Sequence, residues 1–288
     1  MAQATTLPPL YPLSYAPIIA RALAEDFGEA GDITTDAIVA ADARASARIV
    51  ARREGRLAGL DVALAVFSTL DPAVAVEFGH RDGEDVKAGA TLAVLSGPAR
   101  VLLSGERTAL NLLGRMSGIA TTTRDLATAV GNNKARIVCT RKTAPGLRLL
   151  DKYAVRAGGG VNHRFGLGDG VLIKDNHRVM TGGVGPAIER VRQRLGHMVK
   201  VEVEVDTMAE LEEALDFDVD AVLLDNMATA MLAEAVTLVG GRVVTEASGG
   251  ITPQTVADVA AAGVDLISLG WLTHSVTNWD VGLDFELQ

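Results

Sequence analysis

The sequence has 288 residues, 48% hydrophobic and 22% charged, which is enough apolar material for a large packed core and too little charge excess for a disordered chain. Its 27 Lys and Arg against 36 Asp and Glu leave a formal charge of −9, which argues against a plain nucleic-acid binder. Cys139 is the only cysteine, so no intrachain disulfide and no cysteine metal cluster can form, and a reducing cytoplasm is the expected setting.

The opening MAQATTLPPLYPLSY lacks a basic stretch followed by an apolar core, and no apolar run reaches the roughly 18 residues of a membrane span. No leader and no membrane partner are therefore expected. Pro8, Pro9, Pro12 and Pro17 predict an extended arm, followed by a short helix over Ile18–Phe27 that ends near Gly28 and Gly31. The stretch Ala45–Ala99 reads as β-rich, with Gly or Asp-Gly turns between short strands. A long helix is expected over Gly105–Val130, with Leu110, Leu113, Ile119 and Leu126 apolar, and with Gly114 and Gly118 allowing another backbone to come close.

Beyond it the pattern repeats. ARIVCT, GVLIKD, VKVEVEV, DAVLLDN, RVVTEAS and DLISLG alternate with helical stretches such as GLRLLDKYAVRAG and MAELEEAL. Strands joined by helices in this order imply parallel pairing and right-handed crossovers. An α/β barrel is the first reading and a doubly wound open sheet the second.

The ends of these strands carry the chemistry: Arg141 and Lys142; Lys174 and Asp175; Glu202 and Glu204; Asp225 and Asn226; Glu246 and Ser248; Ser268 and Gly270. In α/β barrels this rim is where active sites are built. In Lys200-Val-Glu-Val-Glu-Val-Asp206 the side chains alternate, with Val201, Val203 and Val205 on one face and Lys200, Glu202, Glu204 and Asp206 on the other. If the valines meet the helices, the charged face points inward and needs partners, for which Lys174 and Lys142 are available. Glu204 with Asp225 suits a hard cation such as Mg²⁺ beside a phosphate-bearing ligand. Ser248-Gly249-Gly250, before Thr252-Pro253 at an expected helix start, suits a phosphate, and Ser268-Leu269-Gly270 would complete that site.

The charge is uneven. From Lys134 to Arg178 there are ten bases against three acids, a local +7 that leaves −16 for the rest of the −9 chain. Within that window Arg141, Lys142, Arg164 and Lys174 suit a ligand with more than one negative group, and His163 could donate to a carboxylate or move a proton.

The pieces GERTALNLLGRMSGIAT, TRKTAPGLRLLDKYAVRAGGGVNHRFGLGDGVLIKDNH, VEVEVDTMAELEEAL, LLDNM, EASGGI and LGWLTHS span Gly105 to Ser275, and together they resemble the quinolinate phosphoribosyltransferases. The resemblance implies the type II phosphoribosyltransferase architecture: an N-terminal α/β sandwich, expected over residues 1–118 with 273–288 returning to it, then an incomplete, open α/β barrel over 119–272. It implies a pentosyltransferase of NAD biosynthesis that uses Mg²⁺. That enzyme transfers phosphoribosyl from phosphoribosyl pyrophosphate to quinolinate and releases pyrophosphate and CO₂ to leave nicotinate mononucleotide. It further implies a homodimer with shared active sites, alone or as the unit of a hexamer. By the same resemblance, Arg107 is the arginine donated across the dimer, and Arg141, His163, Arg164 and Lys174 form the quinolinate pocket with Lys142 between the two substrates. Glu204 and Asp225 are then the acids near ribose and metal, and Ser248, Gly249, Gly250, Ser268, Leu269 and Gly270 the phosphate contacts.

Two other readings are distinguishable by experiment. A barrel lyase or aldolase would use Lys142 or Lys174 as a Schiff base and would be trapped by borohydride. A non-catalytic relative with a changed ligand would keep the fold without releasing pyrophosphate.

Overall fold

A computed structural model describes residues 7–286. The first six residues of the proline-rich arm, on which part of the leader reading rests, lie outside the described residues, as do the last two. In chain order the elements are α1 (Pro12–Phe27), α2 (Ile33–Ile38), β1 (Arg44–Ala51), β2 (Gly55–Arg56), α3 (Leu60–Leu70), β3 (Ala75–Phe78), β4 (Asp85–Val86), β5 (Thr91–Pro98) and α4 (Ala99–Val130). There follow β6 (Arg136–Val138), α5 (Arg148–Ala157), β7 (Val171–Ile173), α6 (Asp175–Thr181), α7 (Val184–Arg192), β8 (Val201–Val205) and α8 (Met208–Leu215). The chain ends with β9 (Ala221–Asp225), α9 (Thr229–Val239), β10 (Val244–Ser248), α10 (Val256–Ala261), β11 (Leu266–Ser268), α11 (Trp271–His274) and β12 (Val281–Glu286). Among the described residues no helix is long and apolar enough to cross a membrane.

Contacts group these elements into two units. The first runs through Arg124 and takes in Thr143–Gly159 and the stretch from Leu272; the second is Asp125–Lys142 with Gly160–Trp271.

The first unit is built on an antiparallel sheet in the order β12-β1-β5-β3, beside a two-stranded β2-β4 ribbon. Its core includes Ile49, Leu57, Phe67, Leu92, Leu95 and Leu102, all fully buried. The expected arm is shorter than its prolines suggest, because α1 already begins at Pro12. Proline suits the first helical position, where its missing N–H has no intrahelical partner, and Pro17 withdraws only the bond to Leu13, an exposed residue. The stretch read as β-rich holds a helix, α3, whose first turn is anchored by Asp82: its carboxylate accepts from Gly59 N–H at 2.8 Å and Leu60 N–H at 3.0 Å. Helix α4 starts at Ala99 rather than at Gly105, and the glycine is there for space: a Cβ at 105 would lie 2.9 Å from the Phe67 ring. Gly118 does let another backbone come close, since the carbonyl of Thr277 occupies the place of its missing Cβ.

One buried ion pair ties α4 to α5. Arg115 grips Asp151 through two bonds of 2.8 Å and donates to the Thr273 carbonyl at 2.9 Å, while Ala144 N–H reaches the same carboxylate at 3.3 Å. Asp151 has no solvent exposure, so these donors replace its hydration.

The second unit is a six-stranded parallel sheet in the order β6-β11-β10-β9-β8-β7. Among the described residues the two end strands, β6 and β7, do not pair with each other, so this is an open α/β barrel. The opening falls between its first and second strands in chain order. The helix joining them, α5, belongs to the first unit, where it packs with α1.

Candidate active site

All five residues of β8 are buried, as expected of a strand covered on both faces. Val201, Val203 and Val205 are fully inaccessible, and Glu202 and Glu204 keep only 8% and 7% exposure. Each glutamate has found a base. The Glu204 carboxylate accepts from Lys174 Nζ at 2.6 Å, one of the partners foreseen. Glu202 meets His163 Nε2 at 2.7 Å. Lys200, assigned by alternation to the charged face, instead lies at the surface and pairs with Asp220, because it precedes the strand, which begins at Val201.

The His163 ring is fixed on both sides. Nδ1 accepts the backbone N–H of Arg164 at 2.7 Å, which puts the ring proton on Nε2, and Nε2–H donates to Glu202. Glu246 on β10 completes this cluster: its Oε1 is 3.9 Å from His163 Nε2, has no hydrogen-bond partner, and the residue is 1% exposed. Burial, and then the neighbouring Glu202 charge, raises the Glu246 carboxyl to about 7. Ligand atoms of His163, Glu202 and Glu246 lie within 4.8 Å of one another, a spacing that would admit a metal. The ring tautomer argues for a proton instead, since Nε2 already carries one.

Arg164 is only partly satisfied, although Asp169 and Glu202 lie near enough to favour its charge. Its Nη1 donates to the Gly170 carbonyl at 2.9 Å, but its buried Nε has no hydrogen-bond partner. Burial, and then the adjacent Arg141 guanidinium, pulls its pKa down. Two guanidiniums held this close together suit an anion as their shared counter-charge. Lys142, at the end of β6, lies across Gly270, where a Cβ would come within 2.7 Å of Lys142 Cδ.

The acids at the next two strand ends share a field. Asp225, on β9, is pushed up by burial and then by Glu204 and Asp206, while Lys174 and Asn226 pull the other way. On β10, Ser248 leads into Gly249 and Gly250, both in left-handed conformations at φ 90° and 61°. The helix expected from Thr252 begins only at Val256, so the phosphate-loop candidates are loop amides rather than a helix terminus. Ser268 is buried at the end of β11, and Leu269 N–H bonds the Val138 carbonyl at 3.1 Å, which ties this end to β6.

The basic window divides between the units. Arg148, Lys152 and Arg156 sit on α5 in the first unit, and Lys134 and Arg178 are bound to Asp265 and to Asp206 and Glu210. Arg136, Arg141, Lys142, Arg164 and Lys174 remain, all in the second. Arg107 lies on α4 in the first unit, with a side chain 65% exposed and Glu106 at 4.0 Å. Two features went unread in the sequence. Glu246 stood in the strand-end roll with no role, and only its alternation with Ser248 hinted that it faces inward. Asn226 is the sole described non-glycine residue with positive φ, at 54°, a conformation that Asn tolerates better than most.

The family model for the C-terminal domain of quinolinate phosphoribosyl transferase matches residues 119–284, and that for the N-terminal domain matches 32–117. The chain is 45% identical over 263 residues to the "Probable nicotinate-nucleotide pyrophosphorylase (carboxylating)" of Bacillus subtilis, covering 91% of this chain and 90% of that one. It is 41% identical over 300 residues to the chloroplastic nicotinate-nucleotide pyrophosphorylase (carboxylating) of Arabidopsis thaliana, covering 98% and 86%. Among solved structures, NadC from Streptococcus pyogenes superposes with a TM-score of 0.92 at 38% identity over 97% of this chain and 99% of that one. With both family models accounting for most of its length, the chain belongs to the quinolinate phosphoribosyl transferase family.

Proposed function

We propose that this chain transfers the phosphoribosyl group of phosphoribosyl pyrophosphate to the ring nitrogen of quinolinate and releases pyrophosphate and CO₂ to leave nicotinate mononucleotide for NAD synthesis. The observation that carries the reading is the Arg164 guanidinium, half-buried beside Arg141, with its own Nε buried and lacking a hydrogen-bond partner. Two such groups match a dicarboxylate, and Lys174 and the histidine that pins the Arg164 backbone lie in the same unit. Positioning of this kind supplies much of a rate gain by holding the ring nitrogen in line with the sugar.

As the bond from ribose C1 to pyrophosphate breaks and the bond to nitrogen forms, positive charge grows on the sugar. Glu204 and Asp225 are the acids suited to stabilise it. Loss of the 2-carboxylate leaves an electron pair on the carbon beside the cationic ring nitrogen, and a proton from solvent replaces the CO₂. The new ribosyl bond itself assists that step. Lys142, lying across Gly270, serves as the electrostatic bridge between the two substrates. Ser248, Gly249, Gly250 and the Ser268–Gly270 turn offer amides and hydroxyls to phosphate oxygens.

The donor set also fits Mg²⁺. Glu204, Asp225 and Asp206 concentrate negative charge that raises the Asp225 carboxyl, and hard oxygens suit a hard cation. Glu204 and Asp225 would hold it, directly or through the substrate, and bound Mg²⁺ would neutralise charge on the leaving pyrophosphate. Arg107, exposed on the first unit, is the residue we assign to a second copy's site in a homodimer, alone or within a hexamer. A cytoplasmic setting suits a chain whose single cysteine is buried and unbridged.

The test is pyrophosphate release with phosphoribosyl pyrophosphate and Mg²⁺, offering quinolinate, nicotinate or no acceptor. Release with quinolinate alone, accompanied by CO₂, is expected; turnover of nicotinate alone overturns the reading, and a borohydride-trapped adduct favours the lyase. For the shared site, mixing inactive Arg107→Ala and Lys174→Ala subunits should recover part of the activity, and mixed oligomers without recovery refute the assignment.

A further inference from the structure

Asn226 follows the last residue of β9 and faces two things at once. Its Nδ2 donates to the Asp225 carboxylate at 2.5 Å, and its backbone N–H donates to the Ser248 carbonyl at 2.9 Å. Gly249 packs directly on its amide: a Cβ there would lie 2.6 Å from Asn226 Cγ and 2.9 Å from its backbone N. Asn226 makes these contacts from a left-handed backbone at φ 54°, a conformation that Asn tolerates better than most residues. A residue without tolerance for that conformation would lose all three contacts together.

These contacts join two groups with separate duties. Asp225 stands with Glu204 at the acid end of the rim, while Ser248-Gly249-Gly250 form the left-handed loop of the next strand. On the proposed function, the first attends the ribose and its metal and the second a phosphate of the same molecule. We propose that Asn226 is a positioning residue that sets the distance between the Asp225 carboxylate and the Ser248–Gly250 loop, and so selects for the phosphoribosyl substrate. It acts through its contacts with Asp225, Ser248 and Gly249. Its effect is on how well a rigid sugar phosphate spans the two anchor points, because a small misplacement of a binding group is expensive in rate. Quinolinate, held by the arginines on other strands, should be indifferent to it.

The experiment rests on that reading of the function and separates the two. Wild-type enzyme must first release pyrophosphate with quinolinate; if it does not, the functional reading fails whatever Asn226 does. With that activity in hand, Asn226→Gly keeps the left-handed backbone and removes only the side chain. Its KM for phosphoribosyl pyrophosphate should rise on the order of tenfold, with the KM for quinolinate and the melting temperature little changed. Asn226→Asp keeps the shape but sets a carboxylate against Asp225, so the same selective rise should appear. A cycle with Gly249→Ala gives the sharpest readout: the added methyl meets the Asn226 side chain, so its loss should be smaller in the Asn226→Gly background than in wild type. Additive losses, equal rises in both KM values, or an Asn226→Gly enzyme with wild-type kinetics would overturn the proposal. Should Asn226→Gly melt early, Asn226→Asp decides by the same split between the two KM values.

Discussion

Arg115 with Asp151 in the first unit, and Arg164 with Glu246 in the second, treat buried charged atoms in opposite ways. In the first, Arg115 and Asp151 answer each other through two parallel bonds, and the remaining valences go to the Thr273 carbonyl and the Ala144 amide. In the second, Arg164 keeps a buried Nε without a partner beside another guanidinium, and Glu246 keeps a carboxylate oxygen in the same condition. Charges that hold a fold are neutralised by the fold itself. Charges that wait for a ligand are left short, at a cost in stability that binding offsets.

Removing one member of the closed pair should have the largest effect. Asp151→Ala leaves a guanidinium with only a carbonyl for company and should destabilise by about 3–5 kcal/mol in urea denaturation, since half of a buried pair is worse than none. A loss under about 1 kcal/mol would place this pair with the ordinary surface bridges. Arg164→Ala should do the reverse: the quinolinate KM rises by roughly two orders of magnitude, while the melting temperature holds or climbs because a partly desolvated charge set beside Arg141 has gone. If Arg164→Ala melted as early as Asp151→Ala, the contrast between the units would collapse.

Glu246→Gln sharpens the comparison through pH. The Glu246 carboxyl is raised from 4.5 to about 7, so the folded state holds its proton more tightly than the unfolded state. The stability it contributes is full below about pH 4.5 and is lost as pH rises through about 7. Glutamine does not titrate. Relative to wild type, Glu246→Gln should therefore gain stability between pH 5 and pH 8, by on the order of 1–3 kcal/mol. Urea midpoints at the two pH values measure this, and a gap that does not change with pH would mean that Glu246 stays ionised throughout.

Much of this was legible in the residues. The alternation in Lys200–Asp206 located a buried acidic face, and it anticipated that Lys174 would find Glu204, because a charge inside a barrel needs a partner within reach. The six strands and their parallel sense followed from order alone. What escaped depended on partners distant in sequence. GLRLLDKYAVRAG reads as a barrel helix because amphipathicity says that one face is buried and not what buries it; α5 packs instead with α1. The largely apolar LDVALAVFSTL hid α3 within a β-rich stretch, since a short run whose polar residues sit at its two ends shows no clear period. Glu246 looked like one more rim acid, and only its depth separates it from Asp225. No local signal told that Asn226 would adopt a left-handed backbone.

The order of the sheets has a consequence for the making of the protein. The first barrel strand, β6, pairs with the last, β11, and in the other unit β1 pairs with β12. Both sheets are thus finished by residues 266–286, the end of the described chain. A ribosome emitting this sequence releases β6 long before its neighbour exists, and β1 waits longer still. Neither sheet can be completed before residues 266–286 are made, so the edges of β6 and β1 that these residues cover stay open until then, with the slow closure and exposure to aggregation that long-range pairing brings.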